Sequence, residues 1–170
     1  MALVDSAAAV PIALARGASI LQLRIPGGTG RAYEKEARAV IPTAVVPVLI
    51  SSRADVALAV GAAGVHLPET DIPVAGARRL MGRDRLVGRS VHSPAAARDA
   101  AAEGADYLVF GPVYPTASHA GRPAAGLEAL AEVCRAVTVP VLAIGGVDFE
   151  RAEECRRAGA AGFAAIGAFR

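Results

Sequence analysis

An α/β fold of eight strand–helix alternations is what this sequence predicts, and three observations carry the prediction. Four segments repeat one pattern, a helical stretch that ends in Gly-Ala and gives way to an apolar run: RGASILQLR (16–24), VGAAGVHLP (60–68), EGADYLVFG (103–111) and AGAAGFAAIG (158–167). The Gly-Ala glycines, 17, 61, 104 and 159, are 44, 43 and 55 residues apart, so each interval has room for two strand–helix units. Between them lie further short apolar runs, VPVLIS (46–51), LVGRSV (86–91) and VPVLAIG (139–145). Apolar runs too short for a helix and bounded by Gly or Pro read as fully buried strands. Repeated alternation implies parallel strands joined by helical crossovers, and eight of them close into a (β/α)8 TIM barrel. An open flavodoxin-like sheet of five strands would leave at least two strand candidates unassigned.

Taken in order, the elements fit. A short strand at Ala2–Val4 opens the chain, followed by helix Ala7–Arg16 and the first Gly-Ala stop. The strand ending at Arg24 leads to helix Arg31–Val40, and VPVLIS leads to helix Ala54–Gly61. GVHLP precedes helix Pro73–Met81. After LVGRSV, Ser93 is placed to cap helix Pro94–Ala102, with Pro94 at the first helical position. The sixth strand opens into a long loop rich in Pro, Gly, Ser and Thr, PVYPTASHAGRPAAG (112–126), and loops of that length in a compact domain are usually functional or disordered. Helix Leu127–Val137 follows. The strand Pro140–Ile144 then meets Gly145–Gly146, and Asp148 is placed to cap helix Phe149–Ala158. The chain reaches Arg170 just after the eighth strand, Gly162–Ile166, so the barrel is expected to be compact and to lack its eighth outer helix. A homodimer in which a second subunit covers that face is the expectation.

Composition narrows the function. One domain over residues 1–170 is expected. The chain is 54% hydrophobic but only 4% aromatic, so small aliphatic residues must supply the packing. Its net charge is +2 and its basic residues are scattered, which gives no footprint for nucleic acid. No apolar run reaches membrane-spanning length. The N-terminus lacks a basic start and carries Asp5 early, so a cytoplasmic protein is expected. Cys134 and Cys155 have no paired spacing and read as free thiols.

In such a barrel the active site lies at the C-terminal ends of the strands. Those ends carry Gln22 and Arg24, then Ser51, Ser52 and Arg53, then His66 with Glu69 and Asp71. They continue with Arg89, Ser90 and His92, then Tyr114, Thr116, Ser118 and His119. All three histidines fall on one rim, and imidazole is the usual proton carrier near neutral pH. His66, inside an apolar strand end, reads as structural, whereas His92 and His119 lie in polar loops. Gly145–Gly146 reads either as a tight turn or as a phosphate cradle in which bare N–H groups face an oxyanion. Gly167 stands beside the pair after the eighth strand, and barrels commonly bind phosphate after strands seven and eight, which favours the cradle. Asp71 is a candidate magnesium ligand.

Together, QLR (22–24), SSRADVALAVGAAGVHLPETD (51–71), GRSVHS (88–93), GADYLVFGPVYPTASH (104–119) and AIGG (143–146) resemble the thiamine phosphate synthase/TenI family, over residues 19–168. The resemblance implies a barrel of thiamine biosynthesis that takes a small phosphorylated thiazole. The synthases of that family join hydroxymethylpyrimidine diphosphate to thiazole phosphate and release pyrophosphate; TenI-type members aromatise a thiazole phosphate carboxylate by a proton shift. By position, the resemblance assigns Gln22 and Arg24 to the pyrimidine diphosphate, Asp71 to magnesium, and Ser90 to the strand-five serine. It assigns Thr116 and Ser118, with Gly145, Gly146, Ile166 and Gly167, to the thiazole phosphate. The chain departs from the synthases in three places. Ile25–Pro26 replace an acidic residue and a lysine, Ser51–Ser52 replace Asn-Asp, and His119 replaces a lysine. Pro112 stands where a TenI-type histidine is sought. These losses concentrate on the diphosphate half. The expectation is therefore a thiazole tautomerase-like enzyme that needs no cofactor, with His119 or His92 moving the proton. The alternatives are a magnesium-dependent thiamine phosphate synthase and a non-catalytic phosphate-ligand binder.

Overall fold

The structure, a computed structural model, describes residues 1–116 and 123–170. Eight strands run parallel in chain order: β1 (Ala2–Val4), β2 (Leu21–Leu23), β3 (Val48–Ser51), β4 (Gly64–Leu67), β5 (Leu86–Val91), β6 (Tyr107–Phe110), β7 (Val141–Ile144) and β8 (Gly162–Ala164). A parallel bridge between Ala2 and Ala165 joins the two edges, so the sheet closes into the expected barrel. The helices between them are α1 (Val10–Ala15), α2 (Gly30–Val40), α3 (Ala54–Ala59), α4 (Val74–Met81), α5 (Pro94–Ala102), α6 (Gly126–Ala136) and α7 (Ala152–Arg157). Among the described residues no helix is long and apolar enough to cross a membrane.

Strand periodicity sorts the side chains into two cores. Outward residues such as Leu21, Leu23, Ile50, Val65, Leu67, Leu108 and Phe110 pack against Ala13, Ala37, Ala57, Ala77 and Ala97 of the helices. The alanines, all fully buried, let the helices lie close on the sheet, which is how a chain poor in aromatics fills its core. A smaller cluster of Met1, Leu49, Tyr107, Val109 and Ala164, with Leu3, Leu142 and Ile144 against it, fills the barrel.

Caps behave as chemistry dictates. The Ser93 hydroxyl accepts the Ala96 N–H at 3.2 Å with Pro94 at the first helical position, and Thr29 does the same for Ala32 at the start of α2. Two local expectations are corrected. A 3-10 turn at Ala7–Ala9 precedes α1, so the first helix is split. The seventh helix begins at Ala152 rather than Phe149, because the Asp148 carboxylate accepts the Arg151 N–H at 2.9 Å and closes a turn ahead of the helix.

The outside of β8 carries an aromatic cluster. Phe169, on a 3-10 turn at Gly167–Phe169, stacks on Phe163 with centroids 5.6 Å apart. Phe149 meets both edge-on, at 5.4 and 5.6 Å. Phe163 and Phe169 are largely covered by this packing, whereas Phe149 is 52% exposed.

Candidate active site

Cross-strand register sets the polar half of the barrel mouth. Gln22 pairs with Leu49 in the ladder, Ser51 with His66, His66 with Gly88, and Gly88 with Tyr107. The Gln22 amide donates to Ser51 Oγ at 2.6 Å, and both residues are buried. His66 engages both ring nitrogens: Nδ1 lies 2.9 Å from the Tyr107 hydroxyl and Nε2 lies 2.9 Å from Ser90 Oγ. Its ring stacks on that of Tyr107, with centroids 5.6 Å apart. A Cβ at Gly88 would overlap the Tyr107 ring, so only glycine leaves room for tyrosine to reach beneath histidine. Burial, with a smaller contribution from the Arg89 charge, lowers the His66 pKa from 6.5 to about 3, so the ring is neutral. Among the described residues no buried side-chain polar atom lacks a partner.

The rim outside this layer is charged and tied down. The Arg89 guanidinium donates to the carbonyls of Glu69 and Ile72 at 2.6 and 2.7 Å and pins the loop that carries Asp71. Asp71 is half-buried, and its Oδ1 accepts the Ile72 N–H at 2.7 Å. His92 is exposed: Glu69 accepts its N–H at 3.1 Å, and its Nδ1 lies 2.7 Å from Glu69 Oε2. Arg24 is exposed where β2 ends, its backbone N–H bonded to the Val4 carbonyl at 2.8 Å. Ser52 has φ +63°, in the left-handed region, and forms a tight turn in which the Arg53 N–H donates to the Ser51 carbonyl at 2.7 Å. Strained backbone of this kind clusters at functional sites.

Across the mouth the groups are backbone. Gly145 and Gly146 have φ of +90° and +64°. A Cβ on Gly146 would lie 2.6 Å from the Pro115 carbonyl oxygen, and one on Gly145 would lie 2.5 Å from Pro112 Cβ. Glycine is thus required here both by dihedral angle and by the segment that follows β6. Among the described residues, the N–H groups of Gly145, Gly146 and Gly167 donate to no other residue. Arg151 donates to the Gly146 carbonyl at 2.7 Å and lies 4.8 Å over the Tyr114 ring, whose hydroxyl donates to Glu154 at 2.6 Å. Half-buried Thr116 follows this segment, and Ile166 precedes Gly167.

Several of the residues expected from sequence are thus brought together in pairs, Gln22 with Ser51 and Ser90 with His66. His92 instead meets Glu69. Ser118 and His119 lie outside the described residues. Sequence reasoning read His66 as structural and passed over Tyr107 and Arg151. The signal for the first two was Gly88, since a glycine inside an apolar strand marks a close approach.

Fold and site together define the class: a (β/α)8 barrel whose polar groups gather on β2 to β5 and whose glycine turns follow β7 and β8, where barrels commonly bind phosphate. The chain belongs to the thiamine monophosphate synthase (TMP-TENI) family, whose model matches residues 3–169. It is 43% identical over 165 residues to a thiamine-phosphate synthase of Anaeromyxobacter dehalogenans, covering 95% of this chain and 74% of that one. It is also 43% identical over 169 residues to a putative thiamine-phosphate synthase of Geobacter sulfurreducens, covering 96% and 79%. Among solved structures, a thiamine phosphate pyrophosphorylase from Pyrococcus furiosus superposes with a TM-score of 0.86 at 32% identity, covering 98% of this chain and 84% of that one.

These relatives correct the expectation of a tautomerase-like enzyme. Proteins similar over nearly the whole chain are named as synthases, which favours the synthase alternative. Pro112, where a proton carrier was sought, has no side-chain proton to move, and the His92 imidazole is paired with the Glu69 carboxylate on the rim.

Proposed function

We propose that this chain joins hydroxymethylpyrimidine diphosphate to a thiazole phosphate and releases pyrophosphate, the activity of a thiamine-phosphate synthase. The observation that carries the reading is 43% identity over 95% of the chain to a protein of that name. In this reading the N–H groups of Gly145, Gly146 and Gly167, which donate to no other residue among those described, receive the thiazole phosphate. Thr116 and Ile166 line that half, and Ser118 corresponds to it by sequence position alone. Gln22, Ser51 and Ser90 hold the pyrimidine in the polar half, and Arg24 faces the diphosphate. By position in the sequence, His119 corresponds to the lysine that steadies the departing pyrophosphate in the family's synthases.

Magnesium fits this site in a minimal way. Mg²⁺ on a diphosphate takes one or two carboxylates, with phosphate oxygens and water as the remaining ligands. Asp71 offers one carboxylate; the end of β3 offers the hydroxyls of Ser51 and Ser52, of which Ser51 already accepts from Gln22. Among the described residues no three His, Cys, Asp or Glu side chains gather closely enough to form a metal cage. Asp71 would therefore hold the ion as its single protein carboxylate. When bound, the ion neutralises charge on the leaving diphosphate.

The reading places the protein in the cytoplasm. It includes a second copy of the chain packed on the β8 side, where Phe149 is exposed beside Phe163 and Phe169. The deciding experiment incubates the protein with both substrates and Mg²⁺. Pyrophosphate and thiamine phosphate should form in equal amounts, and their absence at substrate concentrations saturating for binding would overturn the reading.

A further inference from the structure

We propose that Tyr107 and His66 are positioning residues that fix the direction of one hydrogen-bond chain, Tyr107 to His66 to Ser90, so that the Ser90 hydroxyl proton is aimed into the barrel mouth at an acceptor atom of the substrate, a ring nitrogen of the pyrimidine.

The direction follows from where protons can go. Tyr107 is buried among Leu49, Val109 and Ala164, with Leu86 and Leu142 packed on the same cluster. Among the described residues its hydroxyl has one polar partner, His66 Nδ1. A neutral imidazole carries one N–H, so two arrangements are possible. If Nδ1 held the proton it would donate to the phenol oxygen, and the phenol proton would face an apolar cluster, an unsatisfied buried donor. If Nε2 holds the proton, Tyr107 donates to Nδ1, His66 donates to Ser90 Oγ, and every buried donor is satisfied. Only the second arrangement avoids the orphan. Ser90 Oγ then already accepts a hydrogen bond, and its own proton has no partner among the described residues. Ser90 is the last inward residue of β5, because Val91 beyond it is buried in the outer core, so that proton emerges at the mouth.

Burial keeps the arrangement neutral across the working pH range, since His66 gains a proton only far below neutrality. Gly88 makes the chain possible by leaving the space that the Tyr107 ring occupies. A donor fixed in direction selects a ligand atom that accepts, and a ring nitrogen qualifies where a C–H does not. This choice of ligand rests on the synthase reading, whereas the direction of the chain does not.

The test has two arms. In ligand-free protein, ¹⁵N NMR of the imidazole should show a protonated Nε2 and a bare Nδ1 for His66, and Tyr107→Phe should convert this to a mixture while the chain stays folded. A protonated Nδ1 in the unsubstituted protein overturns the proposal whatever the enzyme does. The second arm compares binding of hydroxymethylpyrimidine diphosphate with analogues in which each ring nitrogen in turn is replaced by C–H. One analogue should bind about tenfold more weakly. That discrimination should vanish in Ser90→Ala, shrink in Tyr107→Phe, and largely persist in His66→Gln, whose amide offers an acceptor and a donor at similar positions. Equal discrimination in all four proteins overturns the proposal. Absent turnover with the expected NMR result would fault the synthase reading and leave the chain direction standing.

Discussion

His66 carries the clearest pH signature at the scale of single residues. Its pKa is about 3 in the fold against the usual 6.5, so between these values the unfolded chain binds a proton that the native one does not. This contribution to stability is fully present above pH 6.5 and is lost as pH falls toward 3, at up to about 1.4 kcal/mol per pH unit. Urea unfolding from pH 7 to pH 4 should show this slope, and it should flatten in His66→Gln; an unchanged slope would mean that the ring is protonated in the native state. Gly146 carries a different constraint, since φ +64° and the nearby Pro115 carbonyl leave no place for a side chain. Gly146→Ala forces about 1–2 kcal/mol of left-handed strain into the turn. Its KM for thiazole phosphate should rise about tenfold, with a smaller change in the KM for the pyrimidine substrate; steady-state kinetics with each substrate varied in turn checks this.

Elements in this chain are short, and their ends decide much of their stability. Strands of three to six residues are held by neighbours on both sides, whereas the exposed helices depend on capping. The Ser93 hydroxyl is the cap of α5, so Ser93→Ala should cost about 1 kcal/mol in chemical denaturation. Ser93 lies outside the barrel interior, so kcat should be unaffected, and a matching loss of activity would show that α5 also shapes the site. Cap and helix were legible together, because Ser-Pro ahead of an alanine run states a helix start directly. The seventh helix was less legible: Asp148 does cap, but it caps a turn that consumes three residues before α7 begins. A local signal shows that a start is near, and packing against β8 sets which residue it is.

Closure matters most at the scale of the whole molecule. The Ala2–Ala165 bridge links strands more than 160 residues apart and leaves no free sheet edge among the eight strands. Aromatic side chains are scarce, yet three of the four phenylalanines gather outside β8, with Phe149 half open to solvent. If a second copy covers that face, sedimentation at micromolar concentration should give twice the chain mass, and Phe149→Glu should return it to one chain. A single-chain mass for the unsubstituted protein would overturn that part of the proposed function.

Eight strands, their order and the rim to which Gln22, Arg24, Asp71, Ser90 and the glycine turns belong could all be read from the sequence. The reason is that repeated apolar runs between Gly-Ala stops admit few topologies, and a barrel then places every strand end on one face. Gly145–Gly146 likewise announced a backbone that no other residue adopts cheaply. What only the tertiary structure decided is which polar groups meet. His66, 24 residues before Ser90 and 41 before Tyr107, becomes the middle of a buried chain because β4, β5 and β6 set them in register and Gly88 opens the gap. Hydrogen bonds across strands depend on register and rotamer, which local sequence does not encode. For the same reason His92, polar and plausible in sequence, is found paired with Glu69.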